Sequence, residues 1–147
     1  NFRMTDIQAA LGKSQIKKSE QFIGHKSLLA GLYTSKLSHL GNAIGLPVDL
    51  KNGSRSAHHL YQIRIKRGEK SRRMFYDKLK DEGVLSNVHY RPIYENSYYV
   101  QKYGRLSLKG CEKFYAQVLA LPLYPELQKE DVDLISSKVE KVCNEYL

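Results

Sequence analysis

The sequence of 147 residues predicts an α+β fold, a small, mainly antiparallel sheet with helices on one side. Three observations carry that reading. The stretch "HLYQIRIK" alternates Tyr61, Ile63 and Ile65 with Gln62, Arg64 and Lys66, the period of a half-buried strand. Apolar residues recur at helical spacing near both ends of the chain. In between, the segments follow as strand–helix–strand, loop, helix–strand–helix, an order that builds two layers around one core.

Taken in order, Thr5 with Gln8 three residues later forms a capping box. Ile7, Leu11 and Gln15 then mark one helical face. Gly24 is the expected kink, after which Leu28, Leu29, Leu32, Leu37 and Leu40 continue the stripe until Gly41 stops it. A helix of about ten turns exceeds what a small domain needs to cover itself. Residues 1–41 are therefore set apart as a connecting helix, expected to lean on something upstream, and 42–147 as a small α/β domain. The chain is read as part of a longer one.

Asn42 to Ala57, with its glycines and Pro47, reads as a loop leading to the strand at Tyr61. Ser71 to Glu82 is a helix with Phe75 and Leu79 inward, closed by Gly83. Val84 to Tyr90 reads as a second strand, with Val84, Val88 and Tyr90 on one face and Leu85, Asn87 and His89 on the other. Leu108, Cys111, Tyr115 and Val118 space a further helix. "LALPLYP" gives a third strand broken by Pro122, and Val132, Ile135, Val139 and Val142 mark the last helix. No internal repeat or low-complexity tract is present.

No apolar run approaches the ~18 residues of a membrane span, so a membrane partner is not expected. The net charge of +9 is scattered, and only "IRIKRGEKSRR" is dense. A solvated face accounts for it, and an anionic small-molecule substrate would also suit it. The alternative is a basic nucleic-acid- or protein-binding module without catalysis. Such a module would gather Lys and Arg on one face among aromatics, whereas the tyrosine-rich region carries only Arg91, Lys102 and Arg105. Cys111 and Cys143 fall on apolar helical positions and read as buried reduced thiols, which favours a cytoplasmic setting. No zinc-ligand spacing occurs, so no metal is expected.

Among candidate residues, the stretch "VHYRPIYENSYYVQKYG", Val88 to Gly104, stands out, with five of the eleven tyrosines in one non-periodic segment. It reads either as an ordered loop whose rings pack and whose hydroxyls reach water, or as a ligand-binding loop. His89 and Tyr90 end the second predicted strand where that loop begins. His58 and His59 read as a surface pair, and His25 and His39 as exposed. No serine or cysteine has a base partner in its motif, and no glycine-rich phosphate loop exists.

Four ordered blocks, "NFRMTDIQAALGKSQIKK", "SAHHLYQIRI", "GVLSNVHYRPIYENSYYVQKYG" and "LALPLYPELQKEDVD", resemble the C-terminal part of the DegT/DnrJ/EryC1/StrS nucleotide-sugar aminotransferases over essentially the whole chain. The resemblance implies the small domain of a type I, aspartate-aminotransferase-like pyridoxal-phosphate fold. It also implies transfer of an amino group, usually from glutamate, to a keto carbon of a nucleotide-linked sugar, in a homodimer with shared active sites and no nucleic-acid partner. By the same resemblance Asn1 reaches the cofactor phosphate of the neighbouring subunit, with Arg3 close by. His89, Tyr90, Arg91 and Tyr94 fall in the loop over the sugar, where Arg91 would meet a diphosphate. Tyr94 stands where many members have a second histidine. This version of the block is similar to the sub-branch that aminates C4 of a UDP-linked 4-keto-6-deoxy-N-acetylhexosamine. The family's Schiff-base lysine and the aspartate on the pyridinium nitrogen lie upstream of Asn1. No catalytic residue is therefore expected within these residues, and the chain alone is expected to be inert.

Overall fold

The capping box forms as its sequence implies: Gln8 N–H donates to Thr5 Oγ1 at 3.3 Å and Thr5 N–H to Gln8 Oε1 at 3.0 Å. It opens helix α1, Asp6–Ile16. The computed structural model describes residues 2–48 and 54–147. The long first helix breaks at Lys17–Lys18, and α2 follows as Ser19–Leu37. The expected kink at Gly24 is absent; that glycine lies inside α2 with open space where a Cβ would point. The break has a local cause. Ser19 Oγ donates to Ile16 O at 2.7 Å and Lys18 N–H to Gln15 O at 3.0 Å, so carbonyls at the end of α1 are satisfied without a glycine.

The two helices differ in what they bury. No residue of α1 is buried, and Ile7 and Leu11, its expected apolar face, stand in solvent. α2 turns Leu29, Ala30, Tyr33 and Leu37 into the core, while Leu28 points outward. A 3-10 turn, Ser38–Leu40, ends the segment before Gly41.

The sheet has three strands, β1 (Ile44–Gly45), β2 (Tyr61–Ile65) and β3 (Val118–Leu121), in the order β1-β2-β3 and antiparallel throughout. β1 lies in the stretch read as a loop, since two residues are too few to show an alternation. Gly45 there leaves room for the Arg64 side chain, which would have to shift for a larger residue. It pairs with Arg64, and a Cβ on it would sit 3.1 Å from an Arg64 terminal nitrogen. The register sets Ile44 beside Ile65, Ile63 beside Leu119 and Tyr61 beside Leu121. These side chains share one face, fully buried with α2 and the last helix. Each such burial contributes about 1.5–3 kcal/mol. Tyr33 of α2 stacks on Tyr61 at 4.9 Å and donates to Pro122 O at 3.0 Å, fastening helix to sheet.

Between β2 and β3 run α3 (Glu69–Asp81), α4 (Ser97–Tyr103) and α5 (Lys109–Tyr115); α6 (Lys129–Tyr146) closes the chain. α3 begins two residues before the predicted Ser71 and ends as predicted at Gly83, whose φ is 79°. Gly83 N–H donates to Lys80 O at 2.9 Å and Val84 N–H to Leu79 O at 2.8 Å. This is the paired C-terminal motif in which a left-handed glycine satisfies the last carbonyls. Leu79 and Val84 both enter the core. α6 buries Val132, Ile135, Val139 and Val142 as their spacing predicts. The helix expected from Leu108 to Val118 is shorter: Val118 already belongs to β3, and Cys111 is exposed, correcting the reading of both thiols as buried. None of the helices described is long and apolar enough to cross a membrane.

Candidate functional site

The site region starts where Val84 leaves the end of α3. A second strand was expected from Val84 to Tyr90, but only one residue pairs: Asn87 N–H donates to Ala120 O at 3.0 Å and Ala120 N–H to Asn87 O at 2.7 Å. The next hydrogen-bonded pair in this register would set Leu85 against Pro122, which has no N–H to give. Val84 and Ser86 point inward. The expected facing of the end is reversed, because Tyr90 is 73% exposed while His89 is half-buried.

His89 is held from two sides. Its carbonyl accepts from Gln62 Nε2 of β2 at 3.4 Å, and its ring meets Tyr90 edge-on at 4.7 Å. Its Nδ1 is buried and has no hydrogen-bond partner. Arg91 Nε donates to Glu95 Oε2 at 3.1 Å. Pro92 is buried and introduces a 3-10 turn, Ile93–Glu95, closed by Glu95 N–H on Pro92 O at 3.0 Å. Tyr94 in that turn is half-buried, and its hydroxyl is shielded from solvent with no hydrogen-bond partner. Burial pushes its phenol up, with the Cys111 thiol adding to the effect.

The segment after Pro92 is not an irregular loop. Asn96 O accepts from Tyr99 and Val100 N–H at 3.0 Å, α4 follows, and Gly104 at φ 78° ends it. Within α4 the Tyr99 and Tyr103 rings stack at 6.4 Å, and Lys102 Nζ lies 5.2 Å from the Tyr103 centroid. The Tyr94 side chain, Arg91, Glu95, Val100, Arg105 and Leu106 enclose a recess of about 330 Å³. Beside it, Arg72 of α3 is only 6% exposed, stacked 5.6 Å from the Tyr115 centroid with its Nε unpartnered.

Asn1 lies outside the described residues. Arg3 sits in the segment before α1, exposed, and pairs with no carboxylate among the described residues. The structure thus brings His89, Tyr90, Arg91 and Tyr94 into one short turn. Three further contributors, Gln62, Glu95 and Arg105, were not singled out from the sequence. Gln62 lies on the outward face of a well-read strand, and Glu95 stands four residues after Arg91, the spacing of an ion pair. A larger recess of about 610 Å³ lies elsewhere, between α2 and the segment before β2, lined in part by Thr34, His58 and Tyr61. His58 there adopts φ 45°, and burial, then Lys26, pushes its imidazole pKa down. His25, expected in solvent, is half-buried with Nε2 2.9 Å from Leu127 O.

The turn offers hydroxyls, aromatic faces and guanidinium groups, and no paired nucleophile and base. Such a surface binds and orients a polar, anionic molecule. The family model of the DegT/DnrJ/EryC1/StrS aminotransferases matches residues 1–140, and the chain belongs to that family. It is 32% identical over 147 residues to the UDP-4-amino-4,6-dideoxy-N-acetyl-beta-L-altrosamine transaminase of Helicobacter pylori, covering 99% of this chain and 39% of that one. The Campylobacter jejuni protein of the same name is 28% identical, covering 99% and 40%. Among solved structures, Helicobacter pylori PseC, an aminotransferase involved in pseudoaminic acid biosynthesis, superposes with a TM-score of 0.90 at 29% identity, covering 99% of this chain and 39% of that one. Spr1654 of Streptococcus pneumoniae in its PLP form gives 0.86 at 26%, covering 99% and 37%. The chain therefore spans about two-fifths of the length of the relatives it matches. The fold agrees with the small C-terminal domain that the sequence implied, an antiparallel sheet with helices.

Proposed function

We propose that these residues form the C-terminal part of a pyridoxal-phosphate-dependent aminotransferase acting on a nucleotide-linked keto sugar. The single observation that carries this reading is the family match across nearly the whole chain, and the likeness to the Helicobacter pylori transaminase supports C4 as the position aminated. Glutamate is the proposed donor. The proposed assembly is a cytoplasmic homodimer in which residues 1–41 connect the two parts of each subunit.

The residues present fit the cofactor on its phosphate side. Arg3 is an exposed cation with no carboxylate partner among the described residues, as a phosphate contact needs. Asn1 and Arg3 would hold that phosphate. When bound, the cofactor supplies the electron sink for moving an amino group between carbons. This chain's own side chains orient and enclose. The His89–Tyr90 ring pair and the Tyr94 ring present flat walls to a sugar and exclude water. The Tyr94 hydroxyl, shielded from solvent in the turn, is proposed to bond a sugar oxygen when the turn receives substrate. Gln62 positions His89 through its carbonyl.

The test uses the full polypeptide with UDP-4-keto-6-deoxy-N-acetylhexosamine and glutamate. The expected products are the 4-amino sugar and 2-oxoglutarate. Borohydride reduction of the cofactor-loaded protein should label a lysine outside these 147 residues. A product aminated at another carbon refutes the C4 assignment, and stoichiometric labelling of a lysine within the chain refutes its supporting role.

A further inference from the structure

The recess beside Tyr94 holds two guanidinium groups that are not equivalent. Arg91 is engaged within its own turn, with Nε donating to Glu95 Oε2 at 3.1 Å, and the two charges cancel. The strength of this exposed pair is modest. What matters is that an anion approaching Arg91 meets the Glu95 carboxylate beside it. Arg105 lines the same recess and its open continuation along Ser97 and Gln101. It is exposed, follows Gly104 at the end of α4, and forms no ion pair among the described residues. With Arg91 and Glu95 cancelling, the net charge of the recess is that of Arg105. Val100, Leu106 and the Tyr94 side chain supply the rest of the wall.

An unpaired cation beside an apolar and aromatic wall selects an anionic group attached to an organic body. Resting on the nucleotide-sugar reading above, we infer that Arg105, and not Arg91, is the specificity-determining residue that meets the substrate diphosphate. The Arg91–Glu95 pair then acts as a clasp that shapes the turn. Arg105 discriminates nucleotide-linked sugars from free ones, and it does so without a part in holding the cofactor.

The experiment titrates the full cofactor-loaded polypeptide with UDP, uridine and inorganic pyrophosphate, and follows release of pyridoxal phosphate separately. Arg105→Gln should weaken UDP and pyrophosphate binding about 10-fold or more, the loss of one charge-assisted contact. Arg105→Lys should restore part of it. Uridine binding and cofactor release should stay at the parent's values, and replacing Arg91 and Glu95 together by Gln, which keeps the net charge of the recess, should weaken UDP binding less than Arg105→Gln does. With the keto sugar nucleotide as substrate, Arg105→Gln should raise KM and spare kcat. Arg105 makes no side-chain hydrogen bond or ion pair among the described residues, so the variant should keep the parent's thermal midpoint. Unchanged UDP affinity in Arg105→Gln overturns the inference while leaving the aminotransferase reading intact. So does a larger loss in the double Arg91→Gln, Glu95→Gln variant than in Arg105→Gln, or accelerated cofactor release from Arg105→Gln. A parent that binds no UDP and aminates no nucleotide-linked sugar overturns both.

Discussion

Tyr33→Phe is the sharpest test of how α2 is fastened to the sheet. The substitution removes one oxygen and keeps the ring stacked on Tyr61 at 4.9 Å. The lost bond is Tyr33 Oη to Pro122 O at 3.0 Å, and Tyr33 is fully buried. With the Pro122 carbonyl left unpaired, the cost is about 1–3 kcal/mol. Tyr61→Phe is the control. Its hydroxyl lies 2.9 Å from Thr34 Oγ1, which keeps its own bond to Ala30 O, so the loss is about 0.5–1.5 kcal/mol. The pH dependence is a second readout, in the same direction for both phenols because burial also raises Tyr61. Burial pushes the Tyr33 phenol above its ordinary value, with Tyr61 and then Tyr124 adding to it. The folded chain therefore holds that proton more tightly than the unfolded one. The contribution is intact below the unfolded value near pH 10 and is lost as pH rises past it. By pH 11 the parent gives up about 1.4 kcal/mol at this group, and Tyr33→Phe does not. The difference between parent and Tyr33→Phe should therefore shrink from pH 8 to pH 11. Urea unfolding followed by circular dichroism at each pH measures it. A penalty no larger than that of Tyr61→Phe at neutral pH, or one constant to pH 11, refutes the reasoning.

Two further outcomes follow from the site region. A thiol reagent at neutral pH should modify Cys111 in the native chain and Cys143 only on unfolding, because burial pushes the Cys143 thiol up to about 12; rapid labelling of both would contradict the burial described. Tyr94→Phe removes a buried hydroxyl whose polar contact is with the weakly bonding Cys111 thiol, so the thermal midpoint should change little. In the full enzyme its KM for the sugar nucleotide should increase roughly 2- to 10-fold, and an unchanged KM would make Tyr94 a wall residue only.

What the sequence made legible was the regular part. β2 showed its period over five residues, α6 repeated valines and isoleucine at helical spacing, and Gly83 marked a left-handed position only glycine fills cheaply. The misses share a cause, in that pairing and capping depend on partners that a local pattern does not contain. Asn87 bridges alone because Pro122, thirty-five residues away in sequence, withholds a donor. The break at Lys17–Lys18 depends on one serine hydroxyl reaching back to Ile16, while Gly24 draws the eye and does nothing. α4 was hidden because five tyrosines invited a reading by residue type. Its signals, Asn96 as cap, Tyr99 and Tyr103 four apart and Gly104 beyond, were available. The proposed site block was picked out by its motif, but the division of charge between Arg91 and Arg105 needed Glu95 in place beside one of them.

β3 is the most apolar strand and stands last in the sheet, with all four residues buried. An uncovered strand of that composition would be a template for another chain to pair with. The segment from Val84 to Asn87 denies it that chance, and it holds on through the reciprocal Asn87–Ala120 pair. The same short tether carries the binding turn that begins at His89. The substrate recognition proposed for that turn and protection against self-association thus hang from one point of attachment. Changes that let the turn drift would expose the sheet edge, and solubility would be lost alongside affinity.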